Sequence, residues 1–384
     1  MPLTWFEPIF PYNIIFDLSN YLLISFIFLL LFKLKIIKRN LLYLSLIFLS
    51  TPFLFNGFLF DWFYLPDQSK YLGQAYDYRE TPTNFYDDSI NSYAKLKIAL
   101  PSLFYAYSPI VTLETYKGIS LWNRALFLFT WIFFTKKKFI DEYNSLFMLL
   151  TPTLIFTSSI ALRENLIILL MLWFLYFYYN KKKLSLVIVM TILLLIKIQA
   201  LFTIFLFLIL NYLIQENKIR IKTFIYLLFS LITISVIFSE QIFEISNHFR
   251  QGFFTEEFGR FKSLSGDLNY KYFELKPNLQ FFQHLYQGFT NFLISPFLKG
   301  EFTIFSFILF IEALFIYFYL YLRIKNNKKI YFYTLFKWVT ILLISYLFYS
   351  IFIFNDGTIV RYKIPITFFV IFGYFANVKE LKSK

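Results

Sequence analysis

The sequence predicts an all-α protein, a polytopic bundle of about eleven membrane-spanning helices, roughly ten to twelve. Three observations predict it. Apolar runs near the spanning length of about 20 residues recur along all 384 residues. Hydrophobic residues make up 58% of the chain, above the roughly 45 to 50% of soluble domains, and the mean hydropathy is +0.60. Short basic clusters with few acids separate the runs. One soluble core would not need so many separate runs, so the chain is read as a single integral membrane domain over 1–384.

The opening "MPLTWFEPIFPYNIIFDLSN" has no basic n-region and no small-residue cleavage site, so it does not read as a cleavable signal. Cysteine is absent, which removes disulfides, thiolate metal sites and a cysteine nucleophile together. The net charge of +14 does not point to nucleic acid, because it is gathered in turns between apolar runs, where a positive-inside bias puts it.

The clusters set the expected topology. They are "KLKIIKR" (33–39), "KKK" (136–138), "KKK" (181–183), "KIRIK" (218–222), "RIKNNKK" (323–329) and the tail "NVKELKSK". Placing all six in the cytoplasm gives spans near 14–32, 41–60, 118–135, 140–157, 165–179, 184–196, 200–214, 223–239, 302–322, 331–354 and 362–375. The N-terminus is then outside and the C-terminus inside. Segment 98–111 is apolar but short and carries two prolines, so it is expected to be re-entrant or interfacial. Two longer loops, 61–117 and 240–301, face outward and are expected to form interfacial helices. No internal repeat is visible.

"SSIALRENLIILL" (158–170) puts Arg163 and Glu164 inside an apolar stretch. Runs 140–157 and 165–179 lie between two lysine clusters, so they form a hairpin with these charges at its outer tip. "LLLIKIQALFT" repeats the plan with Lys197 and Gln199 between two short runs, and "FNDGTIVRYKIP" adds Asp356, Arg361 and Lys363 at a third tip. Ionisable groups at such depth mark functional sites by default. The alternative reading of Arg163 and Glu164 is a structural ion pair, and that of Lys197 is a lysine snorkelling to the surface. Glu312, in the middle of an apolar run, needs a partner or a proton, and Arg124 faces a similar choice.

The first outer loop supplies acids: Asp61, Asp67, Asp77, Glu80 and the pair Asp87–Asp88. A carboxylate at a membrane mouth can take a proton from a sugar hydroxyl. Recessed cations can hold a phosphate or diphosphate leaving group, arginine with two parallel bonds. Asp61 follows a span directly and serves equally to end it in water. Asp87–Asp88 can hold a divalent cation or remain solvated, and no cofactor is indicated. His248 and His284, the two histidines, read as loop residues. No P-loop, dinucleotide fingerprint or H-E-x-x-H motif occurs.

"FDWFYLPDQSKYL", "SSIALRENLIILLMLWFLY" and "NDGTIVRYKIPITFFVIFGYF" together resemble the bacterial GT-C glycosyltransferases and the Wzy-like O-antigen and repeat-unit polymerases. That resemblance implies a multi-pass enzyme of the bacterial inner membrane in surface polysaccharide assembly, acting on polyprenyl-linked sugars at its outer face. Asp61 or Asp67 would take the place of the catalytic aspartate. Arg163 and Arg361 would handle the lipid diphosphate, with Glu164, Lys197, Gln199 and Asp356 beside the substrate. Expected partners are a lipid-linked sugar donor, a glycan acceptor, membrane lipids and other polysaccharide-assembly proteins. The rival expectation is a transporter or flippase for the same anionic lipids.

Overall fold

A computed structural model describes residues 12–60, 67–91, 93–215, 218–219, 240–241, 243–248, 279–294, 310–312, 314, 316, 318, 332–352 and 356–383. The described chain is almost entirely helical, apart from a two-residue antiparallel ladder of Ile214–Gln215 (β1) with Lys218–Ile219 (β2). Among the described residues, three helices are long and apolar enough to cross a membrane: Ile14–Lys33, Lys183–Leu213 and Thr334–Ile351. The expected span 223–239, the cluster 323–329 and Asp61 lie outside the described residues. The chain divides into two compact units. One comprises 1–201, 308–326 and 375–384, and the other 202–307 and 327–374.

The first unit is built on helical hairpins. Helix α1 (Ile14–Lys33) starts at the N-cap Asn13, whose side chain accepts from the N–H groups of Ile15 and Phe16. The chain returns through α2 (Arg39–Leu49) and α3 (Thr51–Phe55). After the first long loop, α7 (Tyr116–Lys136) starts at the N-cap Thr115 and returns through α8 (Glu142–Leu150) and α9 (Pro152–Ser158). Both return helices are interrupted beside a Thr-Pro step, the first at Ser50, which keeps helical dihedrals before Thr51–Pro52, and the second at the extended Thr151 before Pro152. Proline lacks the N–H that would continue the ladder and clashes with the preceding turn. The Thr51 hydroxyl donates instead to the Phe48 carbonyl that Pro52 leaves without its N–H, and the Thr151 hydroxyl joins its own N–H on the Phe147 carbonyl.

The two hairpins are alike in element order, a likeness not visible as a repeat in the sequence. Its sequence trace is limited to an N-cap, a lysine turn and a Thr-Pro step, too sparse for periodicity to reveal. The two copies run in the same direction. Thr115 donates to Asp17 at 2.6 Å, Asn20 donates to the Thr112 carbonyl at 3.0 Å, and Phe28 stacks on Phe129 with ring centroids 4.8 Å apart. Gly118 allows this approach, since a Cβ there would lie 2.9 Å from the Thr112 oxygen. Helix α10 (Glu164–Tyr179) is parallel to α7 as well. Asn165 donates to the Asn123 carbonyl, Trp173 to Thr130, and Phe134 packs on Tyr176.

Helices α1, α7 and α10 also end alike. Each closes in a Schellman motif with a lysine, Lys35, Lys138 or Lys181, at the left-handed position (φ 56°, 53° and 56°). The paired bonds are Lys35 N to Phe32 O with Ile36 N to Leu31 O, and Lys138 N to Thr135 O with Phe139 N to Phe134 O. In α10 they are Lys181 N to Tyr178 O with Lys182 N to Phe177 O. Glycine takes this conformation freely, whereas another L-residue pays about 1–2 kcal/mol. Three parallel helices therefore place the clusters 33–39, 136–138 and 181–183 at one end of the unit. The chain's C-terminal turns join them there, since Lys379 interacts with Asp141 and Lys138, and Glu380 with Tyr179.

The expected second hairpin is replaced by one helix, α11 (Lys183–Leu213), interrupted at Lys197 (φ −156°, ψ 80°). Two runs of about 13 to 15 residues are each too short to cross alone, and a single non-helical residue joins them without a loop. In the second unit, α12 (Leu279–Ile294) packs on α13 (Phe332–Phe352). Gly288 lies against the Ser350 carbonyl, and Phe292 packs among Tyr346, Tyr349, Ile359 and Ile366. Helix α14 (Asp356–Ser383) follows.

Candidate functional site

The stretch that carries Arg163 and Glu164 is the non-helical turn between α9 and α10, and it is buried throughout. Ser159, Ile160, Ala161 and Leu162 are 0–1% exposed, Arg163 8% and Glu164 3%. Because α9 runs against α7 and α10 runs with it, α9 and α10 form the expected hairpin. Glu164 opens α10, where the positive end of the helix dipole favours a carboxylate.

An irregular backbone inside a bundle must have its polar groups met by protein. Here the partners come from four elements. Asn123 on α7 donates to the carbonyls of Ile160 (2.8 Å) and Leu162 (3.0 Å). Tyr105 donates to the same Leu162 oxygen at 3.0 Å. The Ala161 N–H donates to Gln68 Oε1 at 2.8 Å, and Asn56 donates to that oxygen from the other side at 2.9 Å. Ser159 shares a 2.6 Å hydrogen bond with Thr51 at the Thr-Pro break of the first hairpin. The turn is held in one conformation, and Arg163 with it. Arg163 in turn donates from Nη1 to the Lys97 carbonyl at 2.7 Å.

Tyr105 and Lys97 belong to the loop 61–117, whose described residues include α4 (Asp67–Glu80), α5 (Asn84–Asn91) and α6 (Tyr93–Ala106). Residues 98–106 of the segment 98–111, expected to be re-entrant or interfacial, are thus the second part of the 14-residue α6, with Pro101 inside it. The Arg79 guanidinium closes its C-terminal end, donating to the carbonyls of Ala106, Ser108 and Ile110 at 2.8, 2.9 and 3.2 Å. These are the carbonyls that a helix end leaves without intrahelical donors. Burial lowers the Arg79 pKa from its ordinary value, against the raising effect of Glu80.

Asp67 is the first residue of α4, with Lys70 3.4 Å away. Its neighbour Gln68 holds Ala161, so the start of α4 sits at the turn that carries Arg163. Asp77 accepts from Asn84, and Asp88 accepts from the Tyr78 hydroxyl at 2.9 Å. Burial first, and then the Asp88 hydrogen bond and charge, push the Tyr78 phenol above its usual range. Among the described residues no group of three or more His, Cys, Asp or Glu side chains could hold a metal ion.

The remaining expected residues fall elsewhere. Lys197 and Gln199 sit at and just after the break in α11, not at a hairpin tip. Asp356 and Arg361 lie in the first two turns of α14, as does Lys363, because the helix begins at Asp356, earlier than the expected 362. Lys363 donates to the Leu293 carbonyl near the C-terminus of α12 at 3.3 Å, a capping role.

Sequence reasoning missed the amides. Asn56, Gln68, Asn123 and Asn165 are 0–1% exposed, and a single amide in or beside an apolar run was the available signal for the three asparagines. The side-chain oxygens of Asn56, Asn123 and Asn165 are buried with no hydrogen-bond donor among the described residues. Arg124, fully buried, donates to the Phe48 carbonyl at 2.9 Å and to Ser158 Oγ at 2.7 Å, and lies over the rings of Phe48 and Phe127. It ties the first Thr-Pro break to the end of α9. No family model, no curated protein and no solved structure matches this chain.

Proposed function

We propose that the protein is a multi-pass glycosyltransferase or repeat-unit polymerase of the bacterial inner membrane, acting on polyprenyl-(di)phosphate-linked sugars in surface polysaccharide assembly. One observation carries this reading. A rigidly held turn presents Arg163 and Glu164 beside the start of α4, where Asp67 lies. Arg163 binds the phosphate of the donor, and Asp67 or Asp61 takes the proton from the acceptor hydroxyl. Lys197, Gln199, Asp356 and Arg361 remain candidate substrate contacts under this reading. The lysine end of α1, α7 and α10 is cytoplasmic, with the C-terminus beside it, and the turn at 159–163 faces the outer half of the membrane.

The test is transfer of a labelled polyprenyl-linked sugar by membranes containing Asp61→Asn or Asp67→Asn protein at unchanged abundance. One of the two substitutions lowers the rate by about 10²- to 10⁴-fold. Full activity in both overturns the assignment of the base. A transporter of the same lipids is the second reading, favoured by the helix breaks at Thr151 and Lys197. Lipid translocation that persists while no sugar is transferred would select it.

A further inference from the structure

The left-handed lysines are not explained by the turn alone. A Schellman ending favours glycine at that position, yet three parallel helices place Lys35, Lys138 and Lys181 there, at one end of the first unit. Offsetting the helix dipole does not require them in α1 and α7, whose last turns already hold Lys33 and Lys136. The lysines of clusters 33–39, 136–138 and 181–183 are all exposed, and the acids in those turns are confined to Asp141 and Glu142. Apolar side chains flank the cations: Leu34 is 68% exposed and Leu184 76%. A free phosphate has no use for such neighbours, whereas a phospholipid presents an anionic headgroup directly above acyl chains.

We propose that this end is a docking surface for anionic phospholipid headgroups, with Lys35, Lys138 and Lys181 as its fixed contacts. The paired hydrogen bonds of a Schellman turn hold the lysine's backbone, so its side chain starts from a set position beyond the helix end. Three such lysines, with exposed leucines beside those that end α1 and α10, match a layer of phosphates over hydrocarbon. The surface is independent of the sugar-transfer reading, since it lies at the opposite end of α7 from Asn123.

The test compares full-length protein in nanodiscs of phosphatidylglycerol and of phosphatidylcholine, as wild type and as Lys35→Asn/Lys138→Asn/Lys181→Asn. Asparagine tolerates the left-handed conformation but carries no charge. Wild type gains thermal stability in phosphatidylglycerol, and the triple variant loses most of that gain. Headgroup affinity falls about fivefold per lysine, roughly 100-fold in all. In phosphatidylcholine the variant melts no lower than wild type, because the backbone strain is eased. Lys35→Arg/Lys138→Arg/Lys181→Arg retains the gain. If the triple asparagine variant does not fold, Lys35→Asn alone is read by native mass spectrometry, with less phosphatidylglycerol retained than in wild type. An equal phosphatidylglycerol gain in wild type and variant, or the same gain from inorganic phosphate in phosphatidylcholine discs, would overturn the proposal.

Discussion

Glu312 accepts a hydrogen bond at Oε2 from the Thr153 N–H, 2.8 Å away and buried, across 159 residues of sequence. Thr153 follows Pro152 in the first turn of α9, where N–H groups have no intrahelical acceptor. The described side chains around Glu312, such as Phe310, Ile311 and Leu314, are exposed and apolar, while Glu312 itself is 7% exposed. An acid in the middle of an apolar run is thus the cap of a broken helix.

Replacing it tests that role. Glu312→Gln keeps an acceptor and costs little stability, whereas Glu312→Leu orphans the buried N–H and costs about 1–3 kcal/mol. Thermal unfolding in detergent reads the difference, and equal melting of the two variants would remove the cap from the account.

Arg79 offers a second test of capping. Arg79→Met strips the donors from three carbonyls at the end of α6, at a cost of about 1.5–3 kcal/mol. Limited proteolysis should then cut faster within 107–114 while the rest of the chain stays intact. Arg79→Lys keeps the charge but not the three-way geometry, and falls between the two. Unchanged cleavage in both variants would show that α6 ends without help from Arg79.

The parallel course of α1, α7 and α10 predicts the outcome of reporter fusions. Fusions at 36, 138 and 182 report one compartment, the cytoplasm, and a fusion at 83 reports the other. A split among the first three would contradict the shared direction of these helices.

The Arg163–Glu164 turn was legible because two charges interrupt an apolar run, and runs of near-spanning length on either side leave them only a turn to occupy. The same logic misread Lys197. One or two polar residues between short apolar runs look alike whether the chain reverses or only kinks, and periodicity cannot separate those cases. The Schellman turns were hidden for another reason, since their usual marker is glycine and here it is lysine. Gln68 and Asn56 gave no periodic signal. Their importance comes from meeting Ala161 and each other, a contact made across 93 residues in the first case and 12 in the second.

Phosphate binding by Arg163 is read from three variants. Abundance, melting temperature and transfer of a labelled polyprenyl-linked sugar are measured for Arg163→Lys, Arg163→Gln and Arg163→Gln/Glu164→Gln. Lysine keeps the charge and loses the paired contact. The account predicts that Arg163→Lys folds normally, with a higher KM for the donor, and that the double variant stays inactive even where its stability recovers. Near-normal transfer by the double variant would contradict the account, leaving Arg163 and Glu164 as an ordinary structural pair in a buried turn.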